Sequence, residues 1–262
     1  MTTFTDIQTT PDVSAPTRPS RKRRAVLTVV GLLNCALPTV FTLNITRMLL
    51  TGVHTDHRYH QATGQGEILF ALWLVPIVLM LRAGWRGRRP NAALGLQHLS
   101  LIGAGIVTAA VAPGGGAPFL VAVISGTGIL LWAALPTRPR LRMPAQTDPL
   151  LAPVALLCSA VLIPYAAGQL ALQNAATTGF HAANPHFFDQ AWIAVAIAVM
   201  ALLAALLPAA RGLASWVAGS LVVLGSAGLV LGESVGFHLA FLVLGALTVC
   251  VSWAARRRLV AN

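Results

Sequence analysis

Six of the seven histidines of this chain stand at the ends of apolar segments or between them, where several side chains can meet. Neutral imidazole is a common ligand for Zn and Cu, and histidine is also an axial ligand of haem iron. Carboxylates complete many such sites, and the same parts of the chain supply Asp56, Glu67, Asp189 and Glu233. The candidate metal or haem ligands are His54, His57, His60, His181, His186 and His238.

Three interpretations of these histidines stay open. A helix over residues 54–60 would spread His54, His57 and His60 over an arc of about 120°, so that two of them reach one ion. A second interpretation is proton sensing, because imidazole titrates near external pH. The third is that the histidines are structural or solvated residues of polar loops, and we favour it because their spacing matches no established metal motif.

The composition indicates that membrane helices position these residues. Apolar residues make up 56% of the 262 residues, charged residues only 10%, and the mean hydropathy is +0.74; a soluble domain carries about 25% charged residues. The net charge of +11 does not indicate nucleic-acid binding, because the basic residues lie in short segments between apolar runs. The three cysteines lie inside apolar runs, so no disulfide framework is expected.

The apolar runs predict an all-α, polytopic bundle of about eight spans, since a spanning helix needs about 20 apolar residues. The segment Pro113–Pro118 contains three consecutive glycines and splits the charge-free residues 90–137 into two spans. The weakest span is 68–81, with 14 strictly apolar residues. The other predicted spans are 25–50, 150–173, 190–210, 212–232 and 234–255.

The basic residues predict the orientation of these spans. With eight spans and a cytoplasmic N-terminus, sixteen of the 18 Lys and Arg residues fall on the cytoplasmic side, and only Arg47 and Arg58 fall outside. The same topology places the six candidate histidines on the outer side. We therefore expect a multi-pass protein of the plasma or inner membrane with both termini in the cytoplasm.

The two halves of the chain share motifs in the same order, which predicts a tandem repeat of four helices. Thr51-Gly52-Val53-His54 follows the first span, and Thr178-Gly179-Phe180-His181 follows the fifth. Trp-Ala-Ala closes the fourth and eighth spans, at Trp132 and Trp253. The expected organisation is a disordered basic tail over 1–24, repeats over 25–137 and 150–255, a cytoplasmic linker over 138–149 and a basic tail over 256–262.

This arrangement resembles that of heme A synthase, which is also built from two tandem four-helix units with histidines near the outer ends of paired helices. The resemblance implies that His181 or His186 faces His238 across spans six and eight, as an iron-ligating pair requires. In the N-terminal half, the position that matches Phe237-His238 reads Phe119-Leu120, so the partner histidine is missing. The resemblance is architectural and assigns no catalytic residue.

The sequence favours a non-enzymatic membrane component or an outer-face sensor, in contact with the lipid bilayer and with other membrane subunits. The first alternative is a small-solute permease or exporter that uses a cavity between the repeats. The second is a haem- or metal-dependent membrane oxidoreductase. A pump is disfavoured because an acidic residue deep within a span is not evident, and no segment resembles a nucleotide-binding domain.

The predicted topology can be tested with reporters that are active only in the cytosol. A reporter fused to either terminus is expected to be active, because an even number of spans keeps both ends on the arginine-rich side. Activity would be measured in intact cells, with a fusion after residue 57 as the negative control. An active N-terminal and a silent C-terminal reporter would contradict the eight-span topology.

Overall fold

The structure is a computed structural model that describes residues 19–51, 67–114, 116–141, 145–179, 182, 185–232 and 234–261. Of the described residues, 83% are helical and none lies in a strand. The prediction of an all-α chain is confirmed. His54, His57, His60 and His181 lie outside the described residues.

Eight α-helices follow one another in the part of the chain that the structure describes. Seven of them contain an apolar stretch long enough to cross a membrane, and the second helix contributes a shorter apolar stretch, Ala71–Trp85. The second helix was also the weakest span by sequence. The helices are α1 Arg21–Thr51, α2 Glu67–Trp85, α3 Ala92–Val111, α4 Ala117–Ala134, α5 Leu151–Ala175, α6 His186–Leu206, α7 Leu213–Leu231 and α8 Val235–Ala261.

The turn predicted between the third and fourth spans is confirmed. Helix α3 ends at Val111, α4 begins at Ala117, and Pro118 occupies the first turn of α4. Gly116 precedes α4 with φ of 78°, a left-handed conformation that glycine adopts without steric cost. Gly116 therefore serves the chain reversal between α3 and α4.

Helices α1–α4 form the first bundle and α5–α8 form the second. In the first bundle α1 packs against α2 and α4, and α3 closes the ring by packing against the same two helices. The second bundle repeats this cyclic order, with α5 and α7 each packed against α6 and α8. Successive helices are neighbours in both rings.

The two bundles meet chiefly where α3 packs against α6. The indole N–H of Trp192 on α6 donates a hydrogen bond of 2.6 Å to the carbonyl of Leu101 on α3. The same ring lies over Gly105, where an added Cβ would come within 2.8 Å of it. If the halves are repeats, α2 and α7 form the pair equivalent to α3 and α6, and these two helices make only sparse contact. The two bundles are therefore not joined symmetrically.

The linker between the bundles is fixed to the second one. The backbone N–H groups of Gln146 and Asp148 donate to the carbonyls of Leu206 and Ala205, at the end of α6. The Asp148 carboxylate accepts from the first N–H groups of α5 and forms an ion pair of 3.2 Å with Arg211. One aspartate thus caps α5 and ties it to the segment between α6 and α7.

A proline in α2 leaves one backbone carbonyl without its helical hydrogen bond, and a side chain of α3 provides that bond. Pro76 has no N–H, so the carbonyl of Leu72, four residues earlier, lacks its helical hydrogen bond. The side-chain amide of Gln97 on α3 donates to that carbonyl at 3.3 Å. Gln97 is 1% exposed, so its polarity serves the helix contact rather than a surface.

The Gln97→Leu variant is expected to lower the melting temperature of the detergent-purified protein, because it leaves the Leu72 carbonyl unpaired in an apolar core. The cost should be about 1 kcal/mol. In a Pro76→Ala background the same substitution should cost less, since residue 76 then donates to Leu72 itself. Equal costs in both backgrounds would show that Gln97 does not compensate for the proline.

Candidate functional site

The candidate site begins with three polar side chains on one face of α5. Tyr165, Gln169 and Gln173 are spaced four residues apart, so they lie on the same side of the helix. All three are buried, with at most 7% of each residue exposed. Tyr165 donates from its hydroxyl to Oε1 of Gln190 at 3.4 Å, and Gln173 accepts from the backbone N–H of Phe188 at 3.3 Å. This polar face of α5 is therefore directed at the start of α6.

The start of α6 contributes an ionisable side chain to the same region. Asp189 and Gln190 lie in the first two turns of α6 and are 6% and 1% exposed. The sequence analysis placed Asp189 among the carboxylates of the outer surface, whereas the structure buries it within the bundle. An ionisable residue inside a membrane bundle is costly and marks a candidate proton or ion site.

His238 on α8 encloses the region from the opposite side of the second bundle. Its ring is 0% exposed and stands edge-on to Tyr165 and Phe241, at centroid distances of 6.0 and 5.6 Å. Nδ1 lies 3.2 Å from the carbonyl of Ser234. The ring packs directly on Gly228 of α7, where an added Cβ would overlap it. The glycine therefore makes room for the imidazole.

We call Tyr165, Gln169, Gln173, Asp189, Gln190 and His238 the polar cluster. It lies where α5 ends and where α6 and α8 begin, away from the Asp148–Arg211 ion pair at the other end of the second bundle. Its members come from three helices of one bundle. It combines a carboxylic acid, an imidazole and a phenol with three amides, groups that can exchange protons or bind a small cation.

Of the six predicted ligands, the structure describes two. His186 is the first residue of α6 and is half-buried, and His238 is buried on α8. Helices α6 and α8 stand diagonally in the second ring, with α5 and α7 between them. Among the described residues, no group of three or more His, Cys, Asp or Glu side chains could hold a metal ion. The metal and haem hypotheses stay predictions, because the other four histidines lie outside those residues.

His98 on α3 in the first bundle forms a hydrogen bond with a neighbouring helix. The residue is 0% exposed, and the indole of Trp132 on α4 donates to its Nδ1 at 3.1 Å. Because indole nitrogen only donates, Nδ1 must be the unprotonated nitrogen, and the ring proton resides on Nε2. His98 is thus held in one tautomer between α3 and α4.

Half of the polar cluster can be identified from the sequence: Asp189 and His238 stand among the candidate ligands above, and Gln169 is a polar residue within an apolar span. Tyr165 and Gln173 were missed, although their spacing of four residues from Gln169 marks one face of a helix. Gln190 was expected at the beginning of a span, without a partner. The missing information was which helix faces α5, and no local pattern supplies that. Comparison with known proteins adds nothing here, since no protein family, curated protein or solved structure matches the chain.

The metal and haem hypotheses have a direct test in elemental and optical analysis of the purified chain. Either hypothesis predicts stoichiometric Zn or Cu or a Soret band, and predicts its loss in a His54→Ala, His181→Ala double variant. His98→Asn is the matched control, because that histidine bonds Trp132 and is not a predicted ligand. A metal content that is unchanged in the double variant would contradict a site built on His54 and His181.

Proposed function

We propose that this protein is a non-enzymatic, multi-pass membrane component that senses protons at the outer face through the polar cluster of its second bundle. The observation that carries this proposal is the burial of Asp189, at 6% exposure, next in the chain to Gln190, which accepts a hydrogen bond from Tyr165 on the polar face of α5. Intramembrane carboxylates are rare and are functional candidates by default. The outer location rests on the predicted orientation of the spans.

The titratable side chains at the same end of the second bundle support a proton site at Asp189. At that end, α5 carries Tyr165, α6 carries His186 and α8 carries His238. The facing halves of α3 and α7, residues 99–111 and 220–231, contain no ionisable side chain, and α2, which also touches α6, begins at Glu67. These side chains are groups that can exchange protons.

The difference between the two bundles also supports the proposal. If the halves are repeats, aligning Pro38 with Pro164 pairs Tyr165, Gln169 and Gln173 with Thr39, Leu43 and Arg47. Aligning the tryptophans of Ala-Leu-Trp73 and Gln-Ala-Trp192 pairs Asp189 with Phe70. The first bundle would then provide the scaffold, and the second would carry the site. The shared cyclic order of helices is consistent with this duplication.

No observation favours the permease over the sensor. The permease hypothesis requires a cavity between the repeats, whereas Trp192 fills the principal contact between the bundles and is 0% exposed. Its hydrogen bond to Leu101 and its close approach to Gly105 make that contact a packed one. The polar cluster instead lies inside a single bundle.

The Asp189→Asn variant tests the sensor. The melting temperature of the wild-type protein in lipid nanodiscs is expected to change between about pH 5 and pH 8, where buried carboxylic acids titrate. The variant should lose most of that change, because an amide cannot exchange the proton.

Asp148→Asn is the matched control, since Asp148 is a buried aspartate of the same bundle at its other end. This variant should melt at a lower temperature at every pH, through loss of the cap and the ion pair, yet keep the pH-dependent difference. A pH dependence that survives intact in Asp189→Asn would overturn the proposal.

A further inference from the structure

A groove opens between α7 and α8 at the end of the second bundle opposite the polar cluster. Its volume is about 370 Å³, within the range of ligand-binding pockets. The lining is largely apolar: α7 contributes Ala214, Ser215, Ala218 and Gly219, and α8 contributes Val249, Ser252 and Trp253. Trp253 is 56% exposed, so the groove faces outward from the bundle.

The groove is a local separation of two helices that are otherwise in tight contact. Near the polar cluster, an added Cβ at Gly225 would lie 2.7 Å from the carbonyl of His238. Farther along, one at Gly245 would lie 2.8 Å from Val222, whereas one at Gly219 would meet nothing within 4 Å. The glycines at 225 and 245 serve close packing, but Gly219 leaves open space. Close packing of α7 and α8 therefore explains Gly225 and Gly245 but not Gly219, which borders the groove.

A cation stands at the end of the groove. The guanidinium of Arg257 lies over the ring of Trp253, 3.5 Å from its centroid, one turn beyond the groove. At this end of the molecule, Asp148 is the acidic side chain that the structure describes, and it is paired with Arg211. Exposed arginines at positions 82, 86, 88, 89, 138 and 140 lie near the same end. Among the described residues, the positive charge there has no other protein counter-charge.

An apolar groove that ends at a cation matches an amphiphile with an anionic head. Trp253 is placed as tryptophans are at the interface between hydrocarbon and headgroups. Basic pockets between membrane helices on the cytoplasmic side bind phospholipid headgroups, and this is the predicted cytoplasmic side. A second copy of the chain is disfavoured as the occupant, since it would bring an equally basic end into contact.

We propose that this groove binds one anionic phospholipid of the cytoplasmic leaflet. Its acyl chain would lie along Ala214, Ala218 and Gly219, and its phosphate would bind Arg257. The ligand would fill the space between α7 and α8 and hold together the helix pair that encloses His238 at its other end. The site is independent of the polar cluster and of its proposed function.

The experiment is native mass spectrometry of the full chain released from nanodiscs of mixed phosphatidylglycerol and phosphatidylcholine. The wild-type protein should retain one phosphatidylglycerol in preference to phosphatidylcholine. Arg257→Gln should weaken that retention about fivefold, the effect of one basic residue near an anionic surface. Arg140→Gln, which changes an exposed arginine outside the groove, should not.

Gly219→Leu should abolish retention, because the new side chain occupies the groove. Gly103→Leu is its control, since an added Cβ at Gly103 on α3 also meets nothing within 4 Å. Circular dichroism would verify that both variants fold. If Gly219→Leu does not fold, Arg257→Gln still tests the proposal. Equal retention of the two lipids, displacement by inorganic phosphate alone, or a dimer that Gly219→Leu disperses would each overturn the proposal.

Discussion

Polar groups inside these bundles must find their partners within the protein, and the helix contacts are arranged around that requirement. In the hydrocarbon of a membrane no water replaces a missing hydrogen bond. Gln97 donates to the carbonyl that Pro76 leaves without a partner in α2, and Asn34 on α1 donates to the carbonyl of Thr127 on α4. Between the bundles, Trp192 donates to the carbonyl of Leu101. Each bond joins two helices, so the polar side chains determine which helix faces which.

The polar cluster in the second bundle follows the same rule and adds ionisable groups to it. Amides alone would join α5 to α6, as Gln173 does through the backbone of Phe188. Asp189 and His238 are not needed for that, and burying them costs more than burying an amide. Their placement beside Tyr165 and Gln190 therefore argues for a use beyond helix packing.

The sequence predicted the helical class and the apolar helices of the described residues because lipid imposes a length and a composition on each span. The reversal at 113–118 and the weakness of the second span were equally visible, from glycine chemistry and from hydropathy. Which helices face one another could not be predicted from the sequence. The bond between Tyr165 and Gln190 depends on two helices meeting at a given rotation, which a hydropathy pattern does not encode. The burial of Asp189 was not predicted for the same reason. An acidic residue at the end of a span is expected in a loop unless the helices packed around it are known.

The cap of α5 has a consequence for how the second bundle is made. Asp148 caps α5 from a linker whose backbone is bonded to the last residues of α6, and its carboxylate pairs with Arg211 beyond them. None of these partners exists while α5 alone has left the ribosome. The contacts that fix the linker to the rest of the bundle can therefore form only after α6 and Arg211 have been synthesised. Asp148 thus connects the start of α5 to the far end of the helical hairpin that α5 and α6 form.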